Sequence, residues 1–499
     1  MRRAIHLQIL IICAIYLVAQ LATGTSIVVA LLFSLAILFG LYSIPAAGGL
    51  LTAFGALNAI LITKFLLIGI LLKTLLLEPA DKNLLAPEST AAVMAIGFLG
   101  LLIGTLLQRR LPTPRASLIS DVSQARMYLA LTIVFLVFGY GGYLIGLGPE
   151  LAGEGLQTGG ILGIARALAG FKNFAIVPAL YFAWARQGQR LMTHPLVLAV
   201  LLAGLIAGIF TTSKLEAMEP LALYLLVGVL RFGIRDKRLW ALAGAGVFYY
   251  AVIIYPYSQY VRFNGGRQGS LSERINVIRE VFWLVATNSE FRQAISRDAG
   301  EKHGEPYLGD GILKPFSRLA MVGEADRLIS ATNQQQAWTG WETITWGFKL
   351  AVPSFLYPNK PIWGTGNYLG RYAGDLGSND TQTQVSYGVM ANLYNAFSYP
   401  GVFLGSIAFF ASFYYVLRFF FKNPRWTASP TGATIWFLLL VALFQHSLVE
   451  ESIAGLIASM SIPLVVQAIY ASARLLSPYL PMIAGPHEVR CVPRVQLET

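Results

Sequence analysis

Residues 1–22 read "MRRAIHLQILIICAIYLVAQLA". Two arginines precede an apolar run close to the roughly 20 residues that cross a bilayer. No small-x-small cleavage site follows, so the stretch predicts a retained first span rather than a signal peptide. Runs of this kind recur along the 499 residues, roughly at 5–21, 26–42, 50–77, 90–107, 126–147, 160–185, 194–210, 220–233, 239–255, 396–417, 432–448 and 453–471. The chain is 56% hydrophobic and only 12% charged, about half the charged fraction of a soluble domain. These runs predict an all-α polytopic membrane protein of about 12 transmembrane helices.

The loops test that arrangement. With the N-terminus in the cytoplasm, the cytoplasmic loops and tail hold Arg2, Arg3, Arg109, Arg110, Arg115, Arg126, Arg186, Arg190, Arg231, Arg235, Lys237, Arg238, Arg418, Lys422, Arg425, Arg474, Arg490 and Arg494. The short loops of the other side hold only Lys82 and Lys214, with Glu78, Asp81, Glu88, Glu150, Glu154, Glu216, Glu219, Glu450 and Glu451. Such asymmetry sets orientation in membrane proteins, places both termini in the cytoplasm and accounts for much of the net charge of +12 without nucleic acid. The two cysteines, Cys13 and Cys491, form no disulfide framework and no metal-ligand pair.

One long hydrophilic segment, 256–390, follows the ninth run and is therefore expected outside, between an N-terminal bundle (1–255) and C-terminal spans (391–475) with a tail (476–499). It balances thirteen Lys/Arg with twelve Asp/Glu and holds Trp283, Trp338, Trp341, Trp346 and Trp363. In "SLSERINVIREVFWLVA", Ser270 and Glu273 have capping-box spacing, and Leu271, Ile275, Ile278, Phe282 and Val285 recur at helical spacing. "PFSRLAMVGEADRLIS" (315–330) predicts a second amphipathic helix carrying Arg318 and Arg327 on opposite faces. "PSFLYPNKPIWGTGNYLG" (353–370), rich in Pro, Gly and aromatics, predicts an ordered loop. A largely helical extracytoplasmic cap on a helical bundle is the expected architecture.

Charges inside spans cost about 2.5–3.5 kcal/mol at the membrane centre. Lys64 and Lys73 fall in the third run, Arg166 and Lys172 in the sixth. In the assigned orientation Lys73, Arg166, Lys172 and Lys214 gather on the side of the long segment. They suit a basic pocket for a phosphate or pyrophosphate; snorkelling to headgroups is the alternative for each. Arg262 and Arg267 follow the ninth run directly, and Lys360 lies in the 353–370 loop.

The sequence has no Walker loop, Rossmann fingerprint, HExxH or DxD, and its five histidines are scattered, so no metal or cofactor is expected. Candidate bases are His446, with Glu450 four residues on, and Asp375, Asp380, Glu324 and Asp326 in the long segment.

The pattern resembles the Wzy-type polymerases of bacterial O-antigen and exopolysaccharide. The likeness rests on the topology, on "LAVPSFLYPNKPIWGTGNYLGRY" with Asp380–Thr381 and "VSYGVMANLYNAFSYPGVFLGS", and on "TTSK" (211–214). Lys214 stands where many of those polymerases carry arginine, and Asn392 where several carry glutamate. The resemblance implies a glycosyltransferase in the bacterial inner membrane acting on undecaprenyl-pyrophosphate-linked oligosaccharides, with the long segment periplasmic and a chain-length regulator as a further partner. It implies that Arg267, Lys214, His446 and Asp380 carry catalysis, that Arg166, Lys172, Arg262, Arg318, Arg327 and Lys360 bind pyrophosphate, and that Tyr357, Trp363 and Tyr368 line a sugar groove. An O-antigen ligase acting on lipid A core shares this donor and layout. A transporter or flippase is the other alternative, against which stands the absence of internal symmetry.

Overall fold

The computed structural model describes residues 2–49, 52–111, 125–151, 168–169, 172–187, 194–211, 214–232, 236–263, 271–295, 307–309, 320–351, 365–377, 385–420, 469 and 471–480. All regular structure among them is helical. Seven helices are long and apolar enough to cross a membrane, and two shorter apolar helices, Pro195–Phe210 and Ala217–Val229, accompany them. They fall on the predicted runs; the run at 432–448 and nearly all of that at 453–471 lie outside the described residues.

The first half of the bundle is built from α1 (Arg2–Ala22), α2 (Ile27–Ala46), α3 (Ala53–Ile62), α4 (Ile68–Leu75) and α5 (Pro87–Gln108). A π turn at Thr63–Leu67 joins α3 to α4 without ending the span; such bulges interrupt the helical ladder locally. The mean hydropathy of α2 is high all round, so one side packs inward through Val29, Phe33 and Ile37 while Leu31 and Leu35 stay exposed. This is the pattern of a helix between protein and lipid.

α5 is the central element, lying between α2 and α16 (Val389–Phe420). Its glycines make the approach possible. A Cβ on Gly100 would come 2.6 Å from that of Ser406, and one on Gly104 3.0 Å from the Ile407 carbonyl oxygen. Small residues of this kind let membrane helices close to backbone contact. Asn58 pins the same layer: its amide donates to the Ser43 carbonyl (3.0 Å) and the Thr105 hydroxyl (3.2 Å), and it accepts from the Tyr414 hydroxyl.

The second half comprises α6 (Ala125–Leu151), a 3-10 turn (Lys172–Ala175) leading into α7 (Ile176–Gln187), α8 (Pro195–Thr211), α9 (Lys214–Phe232), α10 (Lys237–Tyr249) and, beyond a π turn at Tyr250–Ile254, α11 (Tyr255–Phe263). Gly139 of α6 meets the backbone of Lys172, and Gly208 of α8 meets that of Ala217.

The hydrophilic segment contributes α12 (Leu271–Thr287), α13 (Met321–Gln335), α14 (Glu342–Ala351) and α15 (Thr365–Tyr372). Three details differ from the sequence reading. Within 353–370, expected to be an ordered loop, residues 365–370 are helical and open α15, with Leu369 packed into the core. The second amphipathic helix starts at Met321, after a non-helical Ala320, and runs on to a left-handed Gln336; Arg318 lies outside the described residues. On α12 the apolar face is buried unevenly. Val281 and Val285 pack with Tyr257 and Val261 of α11, Val277 and Ile278 are partly buried beside them, and Ile275 is exposed.

The two ends of the bundle are distinct. At one, Arg109 donates to the Pro45 carbonyl (3.2 Å). At the other, Gln20 draws the turn after α1 to the loop after α4. It accepts from the Thr25 hydroxyl (2.6 Å) and the Ala80 amide (2.7 Å) and donates to the Thr74 hydroxyl (2.7 Å). α13 lies across this second end, against the π turn, α4, α5 and α16.

α16 is broken at Phe397 and Ser398, the latter with φ +59°. Pro400 has no N–H for the carbonyl four residues back and would clash with it. That carbonyl, on Ala396, instead accepts from the Gly340 amide (3.1 Å), and the Asn395 carbonyl accepts from the Thr339 amide (3.1 Å). The hydrophilic segment thus completes the hydrogen bonding of a span.

Candidate functional site

α5 begins at Pro87 behind Ala86, which has no side chain able to cap a helix. The cap comes from Asp326 of α13, whose buried carboxylate accepts from the Leu85 and Ala86 amides and from the Thr90 hydroxyl (2.7 Å). A carboxylate at a helix N-terminus answers both the unpaired donors and the dipole. Burial raises the Asp326 pKa above its ordinary value, against the lowering effect of those hydrogen bonds and of Arg327. Its three acceptor bonds make it the N-terminal cap of α5. An apolar Ala before a Pro-initiated helix was the sequence signal for an external cap, and the sequence reading placed Asp326 only among candidate bases.

One residue on, Arg327 lies 3.1 Å from Asp375 and 4.0 Å from Glu324. Asp375 also accepts from the Tyr387 hydroxyl (2.6 Å). Burial works against the guanidinium charge, but the two carboxylates outweigh it and hold its pKa above the usual arginine value. Burial, with Asp375 beside it, raises the Tyr387 pKa. Two candidate bases and one candidate pyrophosphate ligand of the sequence reading therefore form one network, in which Arg327 engages carboxylates.

Next to it, Lys73 of α4 is fully buried, 2.7 Å from Glu78 and 5.1 Å from the centre of the Tyr307 ring. Tyr307 donates to the Ala80 carbonyl (2.7 Å), and Cβ atoms on Gly69 or Gly323 would strike its ring or stem. Tyr307 is a wedge between third span and α13. Lys73 is thus held by an acid and an aromatic face. Lys64, in the π turn, is buried beside Phe65.

A second polar cluster lies in the other half of the bundle. Lys172 is buried with its ammonium 5.1 Å from the centre of the Tyr143 ring. Its neighbour Asn173 donates to the Glu219 carboxylate (2.6 Å). The sequence reading left Glu219 in a short loop; α9 instead starts at Lys214, and its first turns carry Glu219 into the bundle, where it is buried.

Among the predicted sugar-groove residues, Tyr368 of α15 donates to Glu342 (3.3 Å) and meets Trp346 edge-on at 5.3 Å. Lys214 opens α9 and Arg262 lies in α11. Arg166, Arg267, Arg318, Tyr357, Lys360, Trp363, Asp380 and His446, with Glu450, lie outside the described residues. Asn392, in the position where the resemblance has glutamate, is buried. No group of three or more His, Cys, Asp or Glu able to hold a metal ion occurs among the described residues. Comparison with family models, with curated proteins and with solved structures returns no match to this chain.

Proposed function

We propose that the chain is a repeat-unit polymerase of lipid-linked oligosaccharides, transferring the growing glycan from undecaprenyl pyrophosphate to a new lipid-linked unit at the outer face of the bacterial inner membrane. The observation that carries this reading is the seating of α13 across the bundle end opposite Arg109, with Tyr368, Trp346 and Glu342 meeting nearby in the same segment. By the charge asymmetry of the loops that end faces outward. It would bring aromatic rings and polar groups to the level where lipid headgroups and their attached sugars lie.

In this reaction the acceptor hydroxyl attacks the anomeric carbon of the donor's first sugar. A C–O bond to the acceptor forms, the bond to the phosphate oxygen breaks, and lipid pyrophosphate leaves with the electron pair. Cations placed on that leaving group stabilise the charge that develops on it. Arg267, Lys214, Arg166, Lys172, Arg262, Arg318 and Lys360 are the proposed cations. His446 or Asp380 takes the acceptor proton. Arg327, between two carboxylates, is assigned the role of holding α13 to Asp375, which also accepts from Tyr387.

The test is an in vitro assay on purified protein with native lipid-pyrophosphate-linked repeat units in EDTA, comparing wild type with Arg267→Ala and Lys214→Ala. A glycan ladder that survives chelation and collapses in both variants is the expected result. A ladder that needs a divalent ion overturns the cationic mechanism. Transfer only when lipid A core is supplied identifies a ligase, and no transfer to either acceptor overturns the glycosyltransferase reading.

A further inference from the structure

The stretch 334–342 reads "QQQAWTGWE" and joins α13 to α14. Its backbone is fixed at both ends. Gln336 closes α13 in the left-handed conformation, its amide bonded to the Thr332 carbonyl. Thr339 and Gly340 are bonded to the break in α16. Two indoles project from this fixed frame. Trp338 meets Tyr394 edge-on at 5.5 Å and Trp341 meets Phe397 at 5.1 Å, yet they remain 43% and 69% exposed.

The polar groups beside them are also set in place. The amide nitrogens of Gln334, Gln335 and Gln336 donate to the Ser330 hydroxyl, the Tyr372 carbonyl and the Asn333 carbonyl (3.2, 2.8 and 2.6 Å). Each bond orients a carboxamide by its nitrogen, and none of the three oxygens accepts a hydrogen bond among the described residues. Glu342 adds an exposed carboxylate that accepts from Tyr368. No Lys or Arg occurs between Arg327 and Lys349.

We infer that this stretch is a binding platform for a neutral oligosaccharide, with Trp338 and Trp341 as stacking surfaces. Sugar rings present an apolar C–H face, which lies against an exposed indole, and hydroxyl donors around the rim, which need acceptors. The platform supplies both kinds of partner in a pre-ordered frame, and pre-ordering lowers the entropy lost on binding. The chemistry also separates this occupant from a lipid surface. Exposed tryptophans are common at membrane interfaces, but a headgroup layer offers phosphate acceptors and negative charge. Three amide oxygens and a carboxylate, in a stretch that carries no Lys or Arg of its own, are poor partners for that layer. The choice of a glycan rests on the transfer reading above, which it sharpens by placing sugar contacts at residues outside the predicted groove.

The experiment uses the full chain in nanodiscs with neutral hexasaccharides of glucose (α- and β-linked) and mannose as probes. Binding is detected by saturation-transfer NMR and quantified by titration. We expect at least one hexasaccharide to bind, and Trp341→Ala and Trp338→Ala each to weaken it at least tenfold at unchanged melting temperature. Trp283→Ala, on α12 and 68% exposed, leaves binding intact. A second arm places brominated lipid in the nanodisc and compares wild type with Trp341→Phe. Absence of binding by every probe, binding indifferent to both variants, or bromine quenching assigned to Trp341 overturns the platform, the last identifying a bilayer anchor. A polymerisation ladder without probe binding overturns the platform and leaves the transfer reading. Probe binding without a ladder, or transfer to any acceptor, does the reverse.

Discussion

Lys73 has no exposed surface, yet its side chain meets an acid: Glu78 lies at 2.7 Å, itself 29% exposed and shared with Lys82. The hydrogen bond from Lys73, then that from Lys82, holds the Glu78 carboxyl below its ordinary 4.5. A depressed carboxylate contributes stability that is present above its unfolded pKa and lost as pH falls through the folded one. Melting temperature is therefore expected to be flat from neutral pH down to about 4.5 and to fall below it as Lys73 loses its counter-charge. Glu78→Gln should melt lower at pH 7, by less than the about 3–5 kcal/mol of a fully buried pair because Glu78 is part-exposed, and show a shallower acid limb. A variant whose acid limb matches wild type would mean that Glu78 does not carry the effect. The lysine was legible in the sequence as an expensive charge in a span. Its partner was not singled out, because Glu78 was counted with the loop acids.

At the scale of elements, the spans were readable because hydropathy is a local property of some 20 residues, and the described helices fall on the predicted runs. What holds them together was less readable. Asp326 and Leu85 are 241 residues apart, and no local pattern links them. α12 also misled, since its spacing named a face without saying how much of it a neighbour would cover. The glycines of α5 were not read at all, and they give a sharp test. Gly100→Val would force a side chain to within 2.6 Å of Ser406 and should cost about 1–3 kcal/mol, the usual range for overpacking. Gly141→Val on α6, where nothing lies within 4 Å, should be close to neutral. Thermal melts of both variants in one detergent decide this, and equal losses would mean that α5 and α16 do not pack as closely as described.

For the whole molecule, Arg109 sits at one end of the bundle and α13 at the other, which is the separation that the charge asymmetry of the loops demands. The prediction is a topology. In a background with Cys13 and Cys491 replaced by serine, a single cysteine at Gln336 should react with a membrane-impermeant maleimide in intact spheroplasts. One at Arg110 should react only after permeabilisation. The opposite pattern would invert the molecule and remove the transfer reading with it. The candidate site was only partly legible at this scale. Tyr368 and Lys172 were named from sequence and fall in polar or aromatic clusters, whereas Glu219 and the 334–342 stretch gain meaning only from neighbours brought in by other helices.

The break in α16 bears on how the protein is made. Its two interrupted carbonyls are answered by Thr339 and Gly340, residues that leave the ribosome more than fifty positions earlier. Until that stretch folds, the two carbonyls have only water at the outer end of the span to answer them. The outer turn of this helix is therefore expected to close last, once the preceding hydrophilic stretch has crossed and folded, which gives biogenesis an order: translocate, fold, then seal.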